Sequence, residues 1–204
     1  MVGRWSGLVP LDPSAHGVPL FQAFQQDTAG AGWTYLPYGP FDSAVAFRTW
    51  LDSVAATADP LFFTILDDAG APVGLASYLR ITPAMGVIEV GHIHYSRAMR
   101  RGRAATEVMY LMMRRAFDEL GYRRYEWKCD ALNEPSRRAA TRLGFTYEGT
   151  FRKHVIYKGR SRDTAWYSVV DEEWPGLRRS FESWLDPDNF DASGRQRRSL
   201  IALR

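Results

Sequence analysis

The chain has 204 residues, of which 46% are hydrophobic and 24% are charged, a balance typical of a globular protein with one sizeable core. No apolar run reaches the ~18 residues that a membrane-spanning helix needs, and the N-terminal residues lack the pattern of a secretory signal. The formal net charge is +3, and Cys129 is the only cysteine, which excludes an intrachain disulfide. We therefore expect a reducing compartment, the cytoplasm.

The excess positive charge is concentrated in two arginine clusters. Such clusters attract anions, so phosphate groups and nucleic acids are both candidate ligands. Alanines are interleaved with the first cluster and an apolar helix follows it, and neither cluster has the stacked aromatic residues that single strands favour. We therefore expect no nucleic acid and no membrane as a partner. The clusters are Arg97, Arg100, Arg101 and Arg103, and Arg195, Arg197, Arg198 and Arg204.

The first half of the chain predicts two helices followed by three strands. A short helix is expected over residues 18–26, with an irregular aromatic loop after it. Residues 41–56 space their apolar side chains as one face of a helix does, and Asp42 or Ser43 can cap that helix. Runs of β-branched and aromatic residues predict strands at 61–67, 73–82 and 86–96, the first two joined as a hairpin.

The second half alternates helices and strands and then closes with a hairpin. Residues 104–121 carry an apolar stripe that stops at Gly121, which predicts a long helix. A short helix follows later, with Asn133 as N-cap, Pro135 in the first turn and Gly144 after its end. The other predicted elements are strands at 122–130, 145–157 and 163–171, a turn at 158–162, a helix at 172–185 and a loosely ordered tail.

This order of elements predicts an α+β, or mixed α/β, fold with a mixed sheet and helices on both faces, because strands alternate with helices only in the middle of the chain. We expect residues 1–174 to form a single domain. Residues 175–204 are expected to be a helix and tail appended to it.

The segment "MRRGRAATE" (99–107) lies between a predicted strand and the long helix. The first turn of a helix offers free N–H groups to anions, and arginines beside it can add charge-assisted hydrogen bonds. Small residues there, Ala104, Ala105 and Thr106, would let phosphate oxygens reach the backbone. Because neither a G-x-G-x-x-G pattern nor a Walker lysine is present, spacing alone leaves an ordinary basic helix start as an equal alternative.

Four segments together favour the phosphate-binding interpretation: "IEVGHIHYS", "RRGRAATEVMYLMM", "NEPSRRAATRLGFTYEG" and "KGRSRDTAWYSVVDEEW". In combination they resemble the GNAT acyl-CoA-dependent N-acyltransferases, specifically the RimJ/RimL-like branch. The resemblance covers residues 8–174 and is densest over 87–174. It implies a mostly antiparallel sheet with one splayed parallel strand pair. It also implies transfer of an acyl group, most simply acetyl from acetyl-CoA, to a primary amine by direct attack in a ternary complex.

The resemblance also implies which residues contact the cofactor. The backbone of Ile93, His94 and Tyr95 would bind the pantetheine arm. The family's diphosphate loop reads Q/R-x-x-G-x-G/A, and here Arg103 stands at the middle glycine with Gly102 one residue early. The loop and helix start comprise Arg100, Arg101, Gly102, Arg103, Ala104, Ala105 and Thr106. Asn133 would contact the pantetheine region, and Ser136 would protonate the leaving thiolate.

Glu89 is the first candidate for the general base that deprotonates the amine, because relatives often carry a glutamate there; a carboxylate bonded to backbone or solvent is an equal alternative. Strict strand alternation places Glu89, Gly91, Ile93 and Tyr95 on one face and the two histidines on the other. If that second face lines the substrate channel, His92 or His94 becomes the base instead.

Other residues have simpler interpretations. Tyr95 or Tyr147 could act as the acid, but packing roles are favoured. Cys129 is expected to be a small core residue, and Asp163 to stabilise a turn. No cluster has metal-ligand spacing, so we expect no metal.

The acceptor pocket is expected in the early aromatic loop, where Trp33, Tyr35, Tyr38 and Phe41 could form an apolar wall with polar handles. A lid packed on the core is an equal alternative. Two classes of acceptor remain candidates: a protein N-terminus, and a small amine or amino-acid-like compound. Three further alternatives remain: a succinyl-CoA or other acyl-CoA donor, a non-catalytic acyl-CoA-binding module, and a homodimer.

Overall fold

Seven strands pair into one sheet in the computed structural model, which describes all of residues 1–204. They are β1 (Ser6–Pro10), β2 (Leu61–Asp67), β3 (Pro72–Thr82), β4 (Val87–Tyr95), β5 (Arg124–Asp130), β6 (Thr146–Tyr157) and β7 (Arg160–Val170). Their spatial order is β1-β2-β3-β4-β5-β7-β6. Only β4 and β5 run parallel to each other. The expected mixed, mostly antiparallel sheet with one parallel pair is confirmed.

Five helices cover the two faces of this sheet. They are α1 (Pro13–Gln25), α2 (Ala44–Ala55), α3 (Arg103–Arg114), α4 (Glu134–Leu143) and α5 (Trp174–Leu185). The predicted caps of α4 are confirmed: the Asn133 side chain accepts from the Ser136 N–H, and Gly144 ends the helix in the left-handed region at φ 102°. α2 takes Ser43 as its N-cap. None of the helices is long and apolar enough to cross a membrane.

Three elements differ from the prediction. The short strand β1 carries too few residues to show a pattern in the sequence. α1 begins at Pro13, five residues before the predicted start at residue 18, because Asp12 caps it and Pro13 takes its first position. α3 ends at Arg114, and the chain continues through a π-helical turn, Arg115–Glu119, before Gly121.

The tail after α5 is packed, contrary to the loose order expected from its composition. Phe190 and Leu200 are 8% and 1% exposed and belong to the main core. Asn189 holds the segment from inside, since its amide donates to the carbonyl of Trp184 and its Oδ1 accepts from the N–H of Arg198. These partners satisfy a buried polar side chain, so the tail has a defined path.

Two apolar clusters lie on opposite faces of the sheet. The larger one packs the sheet against α3, α4 and α5. The smaller one joins α1, α2 and the aromatic loop to the other face, with Phe47 and Leu51 at its centre. These two faces are called below the α3 face and the α1 face.

A cleft opens where β4 and β5 separate. The two strands pair only from Val87 with Arg124 to Val90 with Trp127. β5 goes on pairing with β7 as far as Asp130. Beyond Val90, therefore, the edge of β4 that faces β5 has no strand partner, and its backbone groups are available to a ligand.

The separation begins at a β-bulge in β4. Gly91 pairs with Ser77 and His94 pairs with Leu75, so three steps along β4 match only two along β3. The extra residue lies at His92, whose φ of 51° is in the left-handed region. A bulge of this kind bends the strand and re-aims the side chains after it.

The bulge overturns the predicted division of β4 side chains between the faces. Leu79, Ser77 and Leu75 alternate along β3 and share one face, so their partners Glu89, Gly91 and His94 share it as well. The prediction that His92 and His94 lie opposite Glu89 is therefore wrong, since His92 packs against Tyr38 on the same face. Tyr95 pairs with Gly74 and lies on the other face, so grouping Tyr95 with Glu89 is also wrong. Strict alternation fails because the extra residue at the bulge moves the later β4 side chains to the face opposite the one that alternation predicts.

Candidate active site

A cavity of about 970 Å³ lies on the α3 face, next to the cleft between β4 and β5. Six arginines and no acidic residue occur among its 19 lining residues. An arginine-rich cavity without carboxylates favours a ligand with several negative charges. The arginines are Arg100, Arg101, Arg103, Arg138, Arg142 and Arg195.

The start of α3 forms one wall of this cavity. Gly102 is its N-cap and offers no side-chain hydrogen bond to the helix. The first-turn N–H groups are therefore uncapped, and together with the helix dipole they suit a phosphate. Gly102 and Ala105 line the cavity, and Thr106 receives a hydrogen bond from Arg142 at 3.1 Å. These features fit the diphosphate that the resemblance assigns to this loop.

Arg100 connects this loop to the other face of the sheet. Its Nη2 lies 2.9 Å from Asp27 Oδ2, and its Nε donates to the Tyr95 carbonyl at 3.1 Å. The same Asp27 oxygen accepts from the Gly32 N–H at 2.8 Å. Arg100 thus ties the end of β4 to the aromatic loop.

Arg103 makes contacts that the sequence did not indicate. Its guanidinium carbon lies 5.0 Å from the ring centroid of Trp5 and 4.9 Å from that of Phe190. The guanidinium packs against both rings, which come from opposite ends of the chain and meet edge to face with centroids 6.1 Å apart. An arginine at the family's glycine position therefore has a packing role in addition to lining the cavity.

The start of α4 brings Ser136 to the cleft. Trp127, which lines the cavity, donates its Nε1–H to Ser136 Oγ at 3.0 Å. Since the indole can only donate, the hydroxyl proton of Ser136 is directed to another acceptor. Asn133 is bound to the Ser136 N–H as the helix cap. Cys129 is buried in the core as expected, and burial raises the pKa of its thiol.

Glu89 lies on the α1 face beside the cleft and is 3% exposed. Its Oε2 is 2.7 Å from Arg80 Nη1 and 2.9 Å from Lys128 Nζ. Lys128 also reaches Glu126 at 2.7 Å and lies 3.8 Å from the ring centroid of Trp166. Buried carboxylates are tolerated when they are paired in this way.

His92 shares the α1 face with Glu89. Its ring stacks 5.6 Å from Tyr38, and its Nδ1 lies 2.9 Å from the Tyr38 hydroxyl. Burial, with a smaller contribution from Arg80, lowers the pKa of His92 to about 4. The imidazole is therefore neutral at physiological pH, with Nδ1 engaged by the tyrosine.

His94 is a buried packing residue at 3% exposure, stacked 3.8 Å from Trp33 and edge-on to Phe24 at 4.3 Å. Burial, with a smaller contribution from Arg100, lowers its pKa to about 4. Its Nε2 has no hydrogen-bond partner in the chain. A histidine in this position adds apolar surface to the smaller core.

The predicted aromatic wall divides into buried and accessible members. Trp33 is 5% exposed and belongs to the smaller core, where Phe41 packs against it. Tyr35 and Tyr38 are half-buried, and the Tyr35 hydroxyl donates to the Leu132 carbonyl at 3.0 Å. This contact bridges the aromatic loop to the segment before α4.

The remaining candidates have structural partners. Asp163 accepts from the Lys153 N–H at 2.7 Å, where two strands of the hairpin lose register. Tyr147 is 50% exposed and its hydroxyl bonds with Thr150. The Tyr95 hydroxyl donates to the Ala105 carbonyl at 3.4 Å. No group of three or more His, Cys, Asp or Glu side chains is arranged to hold a metal ion.

Sequence reasoning missed several residues that the fold brings to the site. Lys128 stands between Trp127 and Cys129 in a strand that is otherwise mostly buried, and a lone lysine there is a signal of a buried ion pair. Arg142 carried no such signal, because many arginines occur on helix surfaces. Arg195 belongs to the tail cluster noted in the sequence, but its spacing along the chain did not place it beside α3.

Comparison with known proteins identifies the family of this fold. Residues 7–146 match a family model described as "Acetyltransferase (GNAT) domain". A GCN5-related N-acetyltransferase from Brucella melitensis has a TM-score of 0.97 and 46% identity, covering 99% of this chain and 92% of that one. A "probable" GNAT-family acetyltransferase from Chromobacterium violaceum has a TM-score of 0.80 and 43% identity over 85% and 87%.

A more distant structure shares the fold alone. Mycobacterium smegmatis RimJ, solved in complex with CoA-disulfide, has a TM-score of 0.71 and 21% identity, covering 83% of this chain and 84% of that one. No curated protein matches the chain.

Proposed function

Because this chain belongs to the GNAT family of acetyltransferases, we propose that it transfers an acetyl group from acetyl-CoA to a primary amine in a ternary complex. The observation that carries the proposal is the cleft between β4 and β5. An arginine-rich cavity lies on one side of it, and the buried carboxylate of Glu89 and the neutral His92 lie on the other. A cleft of this kind lets a thioester reach an acceptor across the sheet.

CoA would bind along the α3 face. The uncapped first turn of α3, with Arg101 beside it, suits the diphosphate. The free edge of β4 at Ile93–Tyr95 suits the amides of the pantetheine arm, which would add to the sheet as a strand does. Acetyl-CoA supplies the activated acyl group for the reaction.

The amine must lose a proton to attack, and we assign Glu89 as the base that takes it, directly or through water. Its position supports this role, because it lies on the acceptor side one residue before β4 and β5 stop pairing. His92 and Tyr38, joined by their hydrogen bond, would orient the acceptor. As nitrogen bonds to the carbonyl carbon, negative charge on the oxygen needs a donor, which free N–H groups of β4 can provide.

Ser136 is assigned as the group that protonates the leaving thiolate. The C–S bond breaks when the tetrahedral intermediate collapses, and sulfur takes the electron pair. The Ser136 hydroxyl can give up its proton because its oxygen already accepts from Trp127. It regains a proton from the acceptor nitrogen, which must lose its second proton as the amide forms, directly or through water. The products are CoA and the N-acetylated amine.

The charge around the acceptor side favours an amine that also carries an anionic group. Next to Trp166, a cavity of about 570 Å³ is lined by Phe151, Arg152, Lys153 and His154. Trp166 also contacts Lys128, which is paired with Glu89. With two exposed cations and no carboxylate in its lining, it suits an amino-acid-like acceptor or a peptide with an acidic residue better than a polyamine.

The test is a thiol-release assay with acetyl-CoA over three matched acceptor sets: amino-acid derivatives, peptides with free N-termini, and polyamines. We expect turnover with members of the first two sets and little with polyamines. A chain that binds no CoA in calorimetry would overturn the proposal. A chain that binds CoA but acetylates none of the three sets would support the non-catalytic module instead.

A further inference from the structure

The C-terminal tail forms part of the cavity that the proposed function assigns to CoA. Phe190, Gly194, Arg195 and Gln196 line it together with the start of α3. The tail therefore lies beside the end of the cavity where the diphosphate is proposed to bind, far along the chain from the start of α3. The segment 190–196 is called below the tail turn.

Hydrogen bonds hold the tail turn in one conformation. Asp191 Oδ1 accepts from the N–H groups of Ser193 and Arg195, each at 2.9 Å, and the Asp191 N–H donates to the Arg195 carbonyl at 3.0 Å. An isolated β-bridge joins Phe190 to Gln196. A ligand would meet a preorganised turn, which lowers the entropy that binding costs.

Contacts with the rest of the protein fix this turn at the cavity. Trp184 donates its Nε1–H to Gln196 Oε1 at 2.7 Å. Phe190 is buried and packs on Trp184 with ring centroids 5.1 Å apart, and the Arg103 guanidinium also contacts it. The turn is thus attached to both α5 and α3.

Arg195 is an unpaired cation in this wall. Its side chain is exposed and forms no salt bridge, hydrogen bond or cation–π contact within the chain. Arg142 is a second cation of the same cavity, held by its bond to Thr106 and by the Trp184 ring 5.0 Å away. The cavity contains no carboxylate that would neutralise either arginine.

We propose that the tail turn forms the subsite for the 3′-phosphoadenosine end of CoA, with Arg195 and Arg142 binding the 3′-phosphate. This inference rests on the proposed function, which places the diphosphate at the start of α3. Past the diphosphate, CoA continues into adenosine with a 3′-phosphate that carries up to two negative charges. The tail turn and Arg142 adjoin the start of α3, where that part of the molecule must lie. Guanidinium groups bind such phosphates by paired, charge-assisted hydrogen bonds.

Calorimetric titration of the full chain with CoA and with 3′-dephospho-CoA, at fixed ionic strength, tests the inference. We expect the wild-type chain to bind CoA about tenfold more tightly than 3′-dephospho-CoA, since two charge-assisted contacts are lost with the phosphate. Arg195→Ala should abolish most of that ratio by weakening CoA alone. Arg197→Ala is the matched control, because it removes the same charge from the same tail outside the cavity lining.

The outcomes separate this inference from the proposed function. If the wild type binds neither ligand, the proposed function fails and this inference fails with it. If it binds both ligands equally, the assignment of the tail turn to the 3′-phosphate is wrong, while the proposed function stands. Equal weakening of CoA by Arg195→Ala and Arg197→Ala would show general electrostatic attraction and would overturn the assignment of Arg195.

Discussion

Arg103 and Phe190 are in direct contact: the guanidinium carbon lies 4.9 Å from the ring centroid. One residue begins α3 and the other begins the tail turn, so this contact joins the helix that is proposed to bind phosphate to the C-terminal segment. Trp5 contacts the same guanidinium at 5.0 Å and brings in the N-terminal segment. The residue in the family's glycine position therefore connects three parts of the chain.

Replacing Arg103 by alanine should lower the free energy of unfolding by about 1–2 kcal/mol, because two cation–π contacts are lost. Urea denaturation monitored by tryptophan fluorescence would measure this. Arg97→Ala is the matched control, since Arg97 is an exposed arginine of the same loop. Equal effects from the two variants would show that the ring contacts of Arg103 contribute nothing.

Glu107 anchors the N-terminal segment to α3. It is 4% exposed and accepts from the N–H groups of Arg4 and Trp5 and from the hydroxyl of Ser6, at 2.7–2.8 Å. Glu107→Ala should cost about 3 kcal/mol of unfolding free energy, because three donors lose a charged acceptor.

The comparator for Glu107 is Glu119→Ala, which breaks an exposed ion pair with Arg115 and should change stability by about 0.5 kcal/mol or less. Both variants would be compared by the same urea titration. A loss at Glu107 no larger than that at Glu119 would contradict the anchoring role.

Glu89→Gln should lower kcat by about 100-fold, the effect typical of losing a general base. Lys128 keeps Glu126 as its partner in this variant, so the fold should survive. Steady-state kinetics over pH 6–10 would measure the effect, and the CoA dissociation constant should stay unchanged.

Ser136→Ala provides the complementary measurement, with a smaller fall in kcat expected because the thiolate can also take a proton from water. If both variants turn over as the wild type does, the assigned base and acid are wrong although the family stands. A fall confined to His92→Asn would transfer the role of base to His92.

His94 should make the protein less stable in acid. Its pKa is lowered to about 4 in the folded chain, against about 6.5 when unfolded, so the unfolded state binds a proton that the folded state excludes. Stability is therefore present above pH 6.5 and is lost as the pH falls toward 4. The contribution of His94 between pH 7.5 and 5 is about 2 kcal/mol.

Urea unfolding of the wild type and of His94→Gln at pH 7.5 and 5.0 would test this. The other titrating groups are common to both chains, so the variant should lose about 2 kcal/mol less on acidification. The same loss in both chains would exclude His94 as the source.

Local patterns in the sequence were enough to predict the helices α3 and α4, which line the proposed CoA cavity. The apolar stripe of α3 and the Asn133 and Gly144 caps of α4 depend on neighbours within a few residues, so their positions follow from spacing. The turn between β6 and β7, at Lys158 and Gly159, likewise shows in composition.

By itself, then, the sequence determined the order of helices and strands, the caps, and the placement of an arginine-rich helix start after β4. The tertiary structure decided what those residues meet. One extra residue at His92 moved His94 to the face of Glu89, and packing across the whole chain brought Phe190 to Arg103. Strand register and contacts between distant segments depend on the sum of many partners in space, and no spacing along the chain encodes that sum.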